Sequence, residues 1–182
     1  MNINSDDEII QLLNHSNQVD YGMRLLVDKY HVRIYHHIRH ILISHDDAND
    51  VTQECFIKVW QNLKNFRGDS SLYSWIYRIA TNEAINFIRK NKKHRHLVRE
   101  STENYLSNLL VSDSMINGDE IQINLQKAII LLPDKQRLIF NMRYFEEIKF
   151  KDIASILEIT EGGAKSTYHI AEKKIKEFFK ND

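Results

Sequence analysis

One proline and five glycines among 182 residues leave little to interrupt a helix. With so few breakers and long runs of helical periodicity, an all-α protein is the expected fold class, and no strand-like alternation competes with it. The single cysteine, Cys55, excludes a disulfide framework and fits a reducing compartment. Its apolar neighbours put it in a core. No stretch of about 18 apolar residues occurs, and the opening MNINSDDEII has no apolar run behind a basic start, so neither a membrane span nor a secretory leader is expected. The chain reads as soluble and cytoplasmic. Nor does either sign of charge prevail, since 25 Lys and Arg balance 25 Asp and Glu, whereas a free-standing nucleic-acid binder is usually basic overall.

What is present is uneven in its distribution. From Ser44 to Glu54 the acids Asp46, Asp47, Asp50 and Glu54 stand without Lys or Arg. From Asn86 to Arg99 the bases Arg89, Lys90, Lys92, Lys93, Arg95 and Arg99 stand without an acid. Such segregation suggests two partners, a positively charged protein surface and a nucleic-acid backbone.

Hydrophobic residues make up 42% of the chain, enough for a core in each of one or two domains. The first helical stretch is expected from about Asp6 to Ile43, with Leu26, Tyr30, Ile34, Ile38 and Ile41 on one face and a break near Gly22. The second, Asp46 to Leu63, presents Phe56, Val59, Trp60 and Leu63 at i, i+3, i+4 and i+7, with acids in its first turns where they suit the helix dipole. After the polar loop FRGDSS, a third runs from Leu72 to about Lys93 with Ile76, Ile79, Ala80, Ala84 and Phe87 inward. The polar stretch from His94 to Gly118 reads as a tether. Helices are expected again from Asp119 to Leu132 and, beyond Pro133, from Asp134 to about Phe145. Two separate helical domains, 1–93 and 119–182, joined by a linker at 94–118, follow from this pattern.

Residues 150 to 171, FKDIASILEITEGGAKSTYHIA, carry the most specific local signal, two short helices around a tight turn. Ile153, Ala154 and Leu157 give the first an apolar stripe, with Ala154 small enough for a second helix to approach closely. Ile159 plugs the turn and Thr160 is the expected N-cap. Ala164, Tyr168, Ala171 and Ile175 recur along the inward face of the second helix. Its outward face offers Glu161, Lys165, Ser166, His169 and Lys173, which suit base edges or phosphates in a major groove. Gly162 and Gly163 at the helix start let backbone amides approach a phosphate. An ordinary helical hairpin with a solvated polar face is the alternative.

DANDVTQECFIKVW from Asp47 to Trp60, FRGDSSLYSWIYRIATNEAINFIRKNKK from Phe66 to Lys93, and LPDKQRLIFNMRYFEEIKFKDIASILEITEGGAKSTYHIAEKKI from Leu132 to Ile175 occur in this order. In these motifs the chain resembles the bacterial sigma factors of the extracytoplasmic-function group, built from sigma region 2 and sigma region 4, over nearly its whole length. It departs from the family pattern at Glu158, where glycine is frequent, at Ala164, where a larger aliphatic is usual, at Thr167 and Ile170, where arginine is frequent, and at Asn86, where aspartate is frequent.

The resemblance implies a sigma factor that binds core RNA polymerase and directs promoter-specific initiation. Asp47, Asp50, Gln53 and Glu54 would dock on the clamp helices of the polymerase, with Phe56 and Trp60 fixing the helix from beneath; capping and solvation of a surface helix is the alternative. Tyr73, Ser74, Trp75, Tyr77, Asn82 and Asn86 would meet the minus-ten element as a single strand, while Arg78, Arg89, Lys90, Lys92 and Lys93 hold phosphates. Core packing competes for Trp75. Lys165, Ser166 and His169, with Glu161, Gly162 and Gly163 beside them, would read the minus-thirty-five element as a duplex, and Arg143 and Lys173 would touch its backbone. The implied role is non-catalytic, needs no cofactor, and brings a regulating anti-sigma protein as a further partner. A metal site at His36 and His40 finds no acid or cysteine to complete it. A two-domain activator would need a sensor or phospho-acceptor module, which the helical first half does not suggest.

Overall fold

The computed structural model describes residues 5–42, 44–95 and 120–181. Among them are eight α-helices, a single 3-10 turn and no strand: α1 (Asp6–Asn14), α2 (Val19–Leu42), α3 (His45–Asn62), the turn Leu63–Asn65, α4 (Leu72–Arg95), α5 (Glu120–Ile130), α6 (Asp134–Tyr144), α7 (Phe150–Leu157) and α8 (Glu161–Asn181). The expected linker begins as helix through Arg95, and 96–118 lie outside the described residues.

Side-chain caps set four of these starts. Ser5 and Glu8 form a capping box on α1, the Ser44 hydroxyl accepts from the Asp47 amide on α3, and the Ser71 hydroxyl accepts from the Ser74 amide on α4. Pro133 precedes α6 at the N-cap, where its missing N–H costs nothing. Thr160 caps α8 as expected, its hydroxyl accepting from the Gly163 amide at 3.1 Å. Between α7 and α8 the chain turns through Glu158, held left-handed at φ 53° and ψ 46°. A left-handed non-glycine residue costs roughly 1 kcal/mol, which explains why glycine is the usual occupant of such a turn.

The first expected helix is two. The chain breaks at residues 15–18, not near Gly22, and α1 folds back along α2. Gly22 lies inside α2 at the closest approach, where a Cβ would come within 3.0 Å of both the Leu12 Cβ and the Leu13 backbone nitrogen. Asp6 ties the hairpin, accepting from Lys29 Nζ at 2.7 Å and from the buried Tyr30 hydroxyl at 2.7 Å.

Leu26, Ile34, Ile38, Val59 and Ile76 fill the core of the first four helices. Cys55 is in that core as expected, and burial pushes its thiol up to about 12. The two expected domains pack on one another: Leu138, Ile139, Met142, Ile148, Ile153 and Ile156 of the second half join the apolar cluster of the first. A smaller cluster of Ala128, Ile129, Leu132, Phe140, Ala171 and Ile175 holds α5, α6 and α8 together.

Polar groups lock the seam between the halves. His37 on α2 is buried, with Nε2 2.8 Å from Thr81 Oγ1 on α4 and Nδ1 2.9 Å from Glu146 Oε1 on the loop after α6. The Thr81 hydroxyl donates to the Tyr77 carbonyl, so its oxygen accepts from the His37 ring. Asn141 Nδ2 donates to the His40 carbonyl at 2.9 Å. The His40 ring stacks on Phe145 with centroids 4.5 Å apart. Its Nδ1 is shielded and has no hydrogen-bond partner. Burial, only partly offset by the Glu146 carboxylate, lowers its pKa to about 4.

Two outcomes follow from this packing. Gly22→Ala should destabilise the protein by about 1–3 kcal/mol, because the close approach outweighs the roughly 1 kcal/mol that alanine gains in a helix; urea unfolding would measure it. The second concerns acid. Since the folded His40 pKa of about 4 lies below the ordinary 6.5, the unfolded chain binds the extra proton between these values. Its contribution is therefore complete above 6.5 and is lost as the pH falls toward 4. His40→Phe should lose less melting temperature than the parent between pH 7 and pH 4.5, read by circular dichroism.

Candidate functional site

On α3, Asp46, Asp50, Gln53 and Glu54 are exposed along one side and Asp47 is half-buried next to the cap. Phe56 supports this helix from beneath as expected, buried and stacked on His31 at 5.9 Å. Trp60 does not. It is 44% exposed, on the outer side beside Ile57 at 48%. The buried side of α3 runs through Ala48, Val51, Thr52, Cys55, Phe56 and Val59, which rotates Trp60 outward. Thr52 can be buried because its hydroxyl donates to the Ala48 carbonyl. Ile57, missed in the sequence, adds apolar surface to the acidic stripe. Its signal was there, four residues beyond Gln53 and three before Trp60.

On α4 the expected contacts divide. Asn82, Asn86, Arg89 and Lys90 are exposed at i, i+4, i+7 and i+8, a continuous stripe of amide and cationic groups. Ser74 and Tyr77 are buried, which corrects their expected exposure to a strand. Ser74 is held in the first turn by the Ser71 hydroxyl. Tyr77 packs on His37 with centroids 4.9 Å apart, and burial raises the pKa of its phenol, with the Glu146 carboxylate adding to the effect. Tyr73 is half-buried against Tyr77, its phenol pushed up to about 12 by burial. Trp75 is half-buried against Phe66 at 5.1 Å. Arg78 is paired with Glu158 of the turn between α7 and α8 at 3.0 Å. The backbone of Lys92 and Lys93 continues α4, and their side chains lie outside the described residues.

Helices α7 and α8 form the expected helix-turn-helix. Ile153, Ala154 and Ile156 bury the first, Ile159 packs in the turn, and Ala164, Ala171 and Ile175 bury the second. Tyr168 anchors α8, stacked on Phe140 at 5.6 Å and edge-on to Phe150 at 5.6 Å. Lys165, Ser166, His169 and Lys173 all face outward, and so does Gly162. Acids temper the cations: Lys165 pairs with Glu161 at 2.7 Å, His169 with Glu172 at 3.5 Å and Lys173 with Glu177 at 3.9 Å. A Cβ on Gly163 would press on the Thr160 hydroxyl at 3.0 Å, so the cap accounts for this glycine, while Gly162 has open space around it. Arg143 differs from its expected role on a nucleic-acid backbone. Its Nη1 donates to the Glu147 carbonyl at 3.2 Å, and its guanidinium lies over the Phe150 ring, so it braces the loop between α6 and α7. Among the described residues no three His, Cys, Asp or Glu side chains gather into a metal site.

Comparison with known proteins gives these surfaces a context. The family described as Sigma-70 region 2 matches residues 26–94, and Sigma-70, region 4 matches residues 122–175. The ECF RNA polymerase sigma factor SigW of Bacillus subtilis is 31% identical over 83% of this chain and 85% of its own length. The RNA polymerase sigma-H factor of Pseudomonas aeruginosa is 32% identical over 83% of this chain and 82% of its own. The fold is similar to that of CnrH in complex with the cytosolic domain of CnrY, with a TM-score of 0.68, 16% identity and 97% and 96% of the two chains covered. It is also similar to sigma factor RpoE in complex with the anti-sigma factor NepR from Bartonella quintana, at a TM-score of 0.66, 21% identity and coverage of 90% and 98%. With both sigma regions matched in order and relatives of this identity spanning most of its length, the chain belongs to the ECF group of RNA polymerase sigma factors, which bind core polymerase and direct initiation at promoters.

Proposed function

We propose that the chain works as a non-catalytic, cytoplasmic initiation factor with three separate surfaces: the outer side of α3 for core polymerase, the exposed stripe of α4 for the opened minus-ten strand, and the outer face of α8 for the minus-thirty-five duplex. Residues 1–93 form region 2, 94–118 the tether and 119–182 region 4. The observation that carries this reading is the separation of the surfaces by chemistry. Acid with exposed Ile57 and Trp60 lines α3, whereas Asn82, Asn86, Arg89 and Lys90 line α4 without an acid among them. An acidic rim around an apolar anchor suits a basic protein partner, and amide and guanidinium groups suit bases and phosphates.

The docked halves give the surfaces an order of use. The α3 side is open in this arrangement, while Tyr77 is buried and Arg78 is paired at the surface with Glu158 of the second half. Polymerase therefore engages α3 first, and separation of the halves then frees the amino-terminal part of α4 for DNA. Regulation by an anti-sigma protein belongs to the same reading, supported by the structural relative captured with such a partner.

Transcription from a library of promoter sequences, with core polymerase and with or without this protein, tests the whole reading. Protein-dependent initiation with a shared pair of spaced upstream elements is the expected result; absence of stable core binding would sink it. Within the same system, Trp60→Ala should weaken core binding about tenfold or more, as loss of an aromatic anchor does, without lowering the melting temperature of the free protein by more than a few degrees.

A further inference from the structure

On the outer face of α8 one side chain is neither charged nor polar. Ile170 is 47% exposed, while the apolar packing of this helix runs through Ala164, Tyr168, Ala171 and Ile175 on the opposite side. Ser166 lies one turn before it and Lys173 and Lys174 one turn after, all exposed. A solitary exposed aliphatic is ordinary on a protein surface. Its position among the groups expected to enter the groove is what gives it a meaning.

We infer that Ile170 recognises the C5-methyl group of a thymine in the upstream duplex, a specificity element set beside the polar readers Ser166 and His169. This rests on the proposed reading that α8 enters a major groove. Three features support it. Only thymine presents an apolar group on the major-groove floor, and an aliphatic side chain meets that group without leaving a polar atom unpaired. A β-branched residue in a helix is held almost entirely in one χ1 rotamer, so the Ile170 methyls are presented in a fixed direction with little rotamer freedom to lose. Of the neighbouring cations, Lys165 is paired with Glu161 and Lys173 with Glu177 of their own helix, whereas Ile170 brings no charge to neutralise. Electrostatics therefore holds the helix near phosphates, and the isoleucine discriminates between bases.

Deoxyuridine tests this cleanly, because it removes the methyl group and leaves every hydrogen-bonding edge of thymine in place. Holoenzyme assembled from core polymerase and the full chain would be assayed on the promoter selected from the library, with each thymine of the upstream element replaced in turn by deoxyuridine in either strand. One replacement should lower promoter binding by about threefold to tenfold for the parent protein, the range expected for burying a methyl group against an aliphatic side chain. Ile170→Ala should bind thymine and deoxyuridine templates alike, and Ile170→Thr, which keeps the β-branch and one methyl, should retain part of the discrimination. Protein-dependent initiation from a shared upstream element with no methyl effect, or with a methyl effect unchanged in Ile170→Ala, overturns the inference and leaves the sigma reading intact. Failure of all protein-dependent initiation overturns both. Unchanged melting of the two variants would exclude misfolding as the cause of any loss.

Discussion

The seam between the two halves depends on one buried imidazole. His37 reaches Thr81 with one ring nitrogen and Glu146 with the other, so a single residue of α2 positions α4 and fastens the loop after α6. Thr81 is buried and Glu146 half-buried, and leaving a buried donor or acceptor of such a set without its partner commonly costs about 1–3 kcal/mol. The surrounding contacts follow from this point. Asn141 reaches the His40 carbonyl, Phe145 stacks on the His40 ring, and Tyr77 closes over His37. With the seam formed, Ile139, Met142 and Ile153 finish an apolar core that α1 to α4 would otherwise leave open.

Most of the helix-turn-helix was legible because its geometry rests on local rules, although the first helix buries Ile156 and leaves the expected Leu157 half-buried. Ala154, Ile159 and Thr160 are each required by contacts within a few residues, and each is where the pattern required it. The left-handed Glu158 was legible only as a departure from the family pattern, since nothing in a glutamate announces a positive φ. Helix faces read from large residues were less secure. On α3 the bulk of Trp60 drew it into the apolar stripe, whereas the core accepted Thr52 and Cys55 because a threonine in a helix can satisfy its hydroxyl on its own backbone. Gly22 shows the complementary limit. Read as a breaker, it proves to be an approach point, and only the return of α1 along α2 reveals that.

Long-range packing was beyond the sequence. Ser74 and Tyr77 have the types and spacing of base-contacting residues, and Arg143 that of a phosphate contact. Tyr77 was decided by distant residues, Glu146 and His37, while Ser74 and Arg143 were taken up by nearby partners, the Ser71 hydroxyl and the Glu147 carbonyl with the Phe150 ring. The stripe Asn82, Asn86, Arg89 and Lys90 is exposed because it lies on the side of α4 turned away from the buried Ala80, Thr81 and Ala84. His37 itself gave no signal, one of nine histidines in the chain with nothing in its neighbours to separate it from His36 or His40.

The neutral net charge then has a physical role in the proposed cycle. A chain with 25 charges of each sign has no long-range attraction for DNA to set against the energy that holds its halves together. Apparent affinity falls in proportion to the fraction of molecules in the competent arrangement, so every 1.4 kcal/mol of seam energy lowers DNA binding by the free chain about tenfold. Polymerase meets no such penalty at α3, whose acidic and apolar side stays open in the docked state. In the proposed cycle, binding there would offset the energy of parting the halves. In the proposed cycle the contact of His37 with Glu146 would thus make the order of events, polymerase before promoter, a consequence of packing: the surface needed first is the one left uncovered.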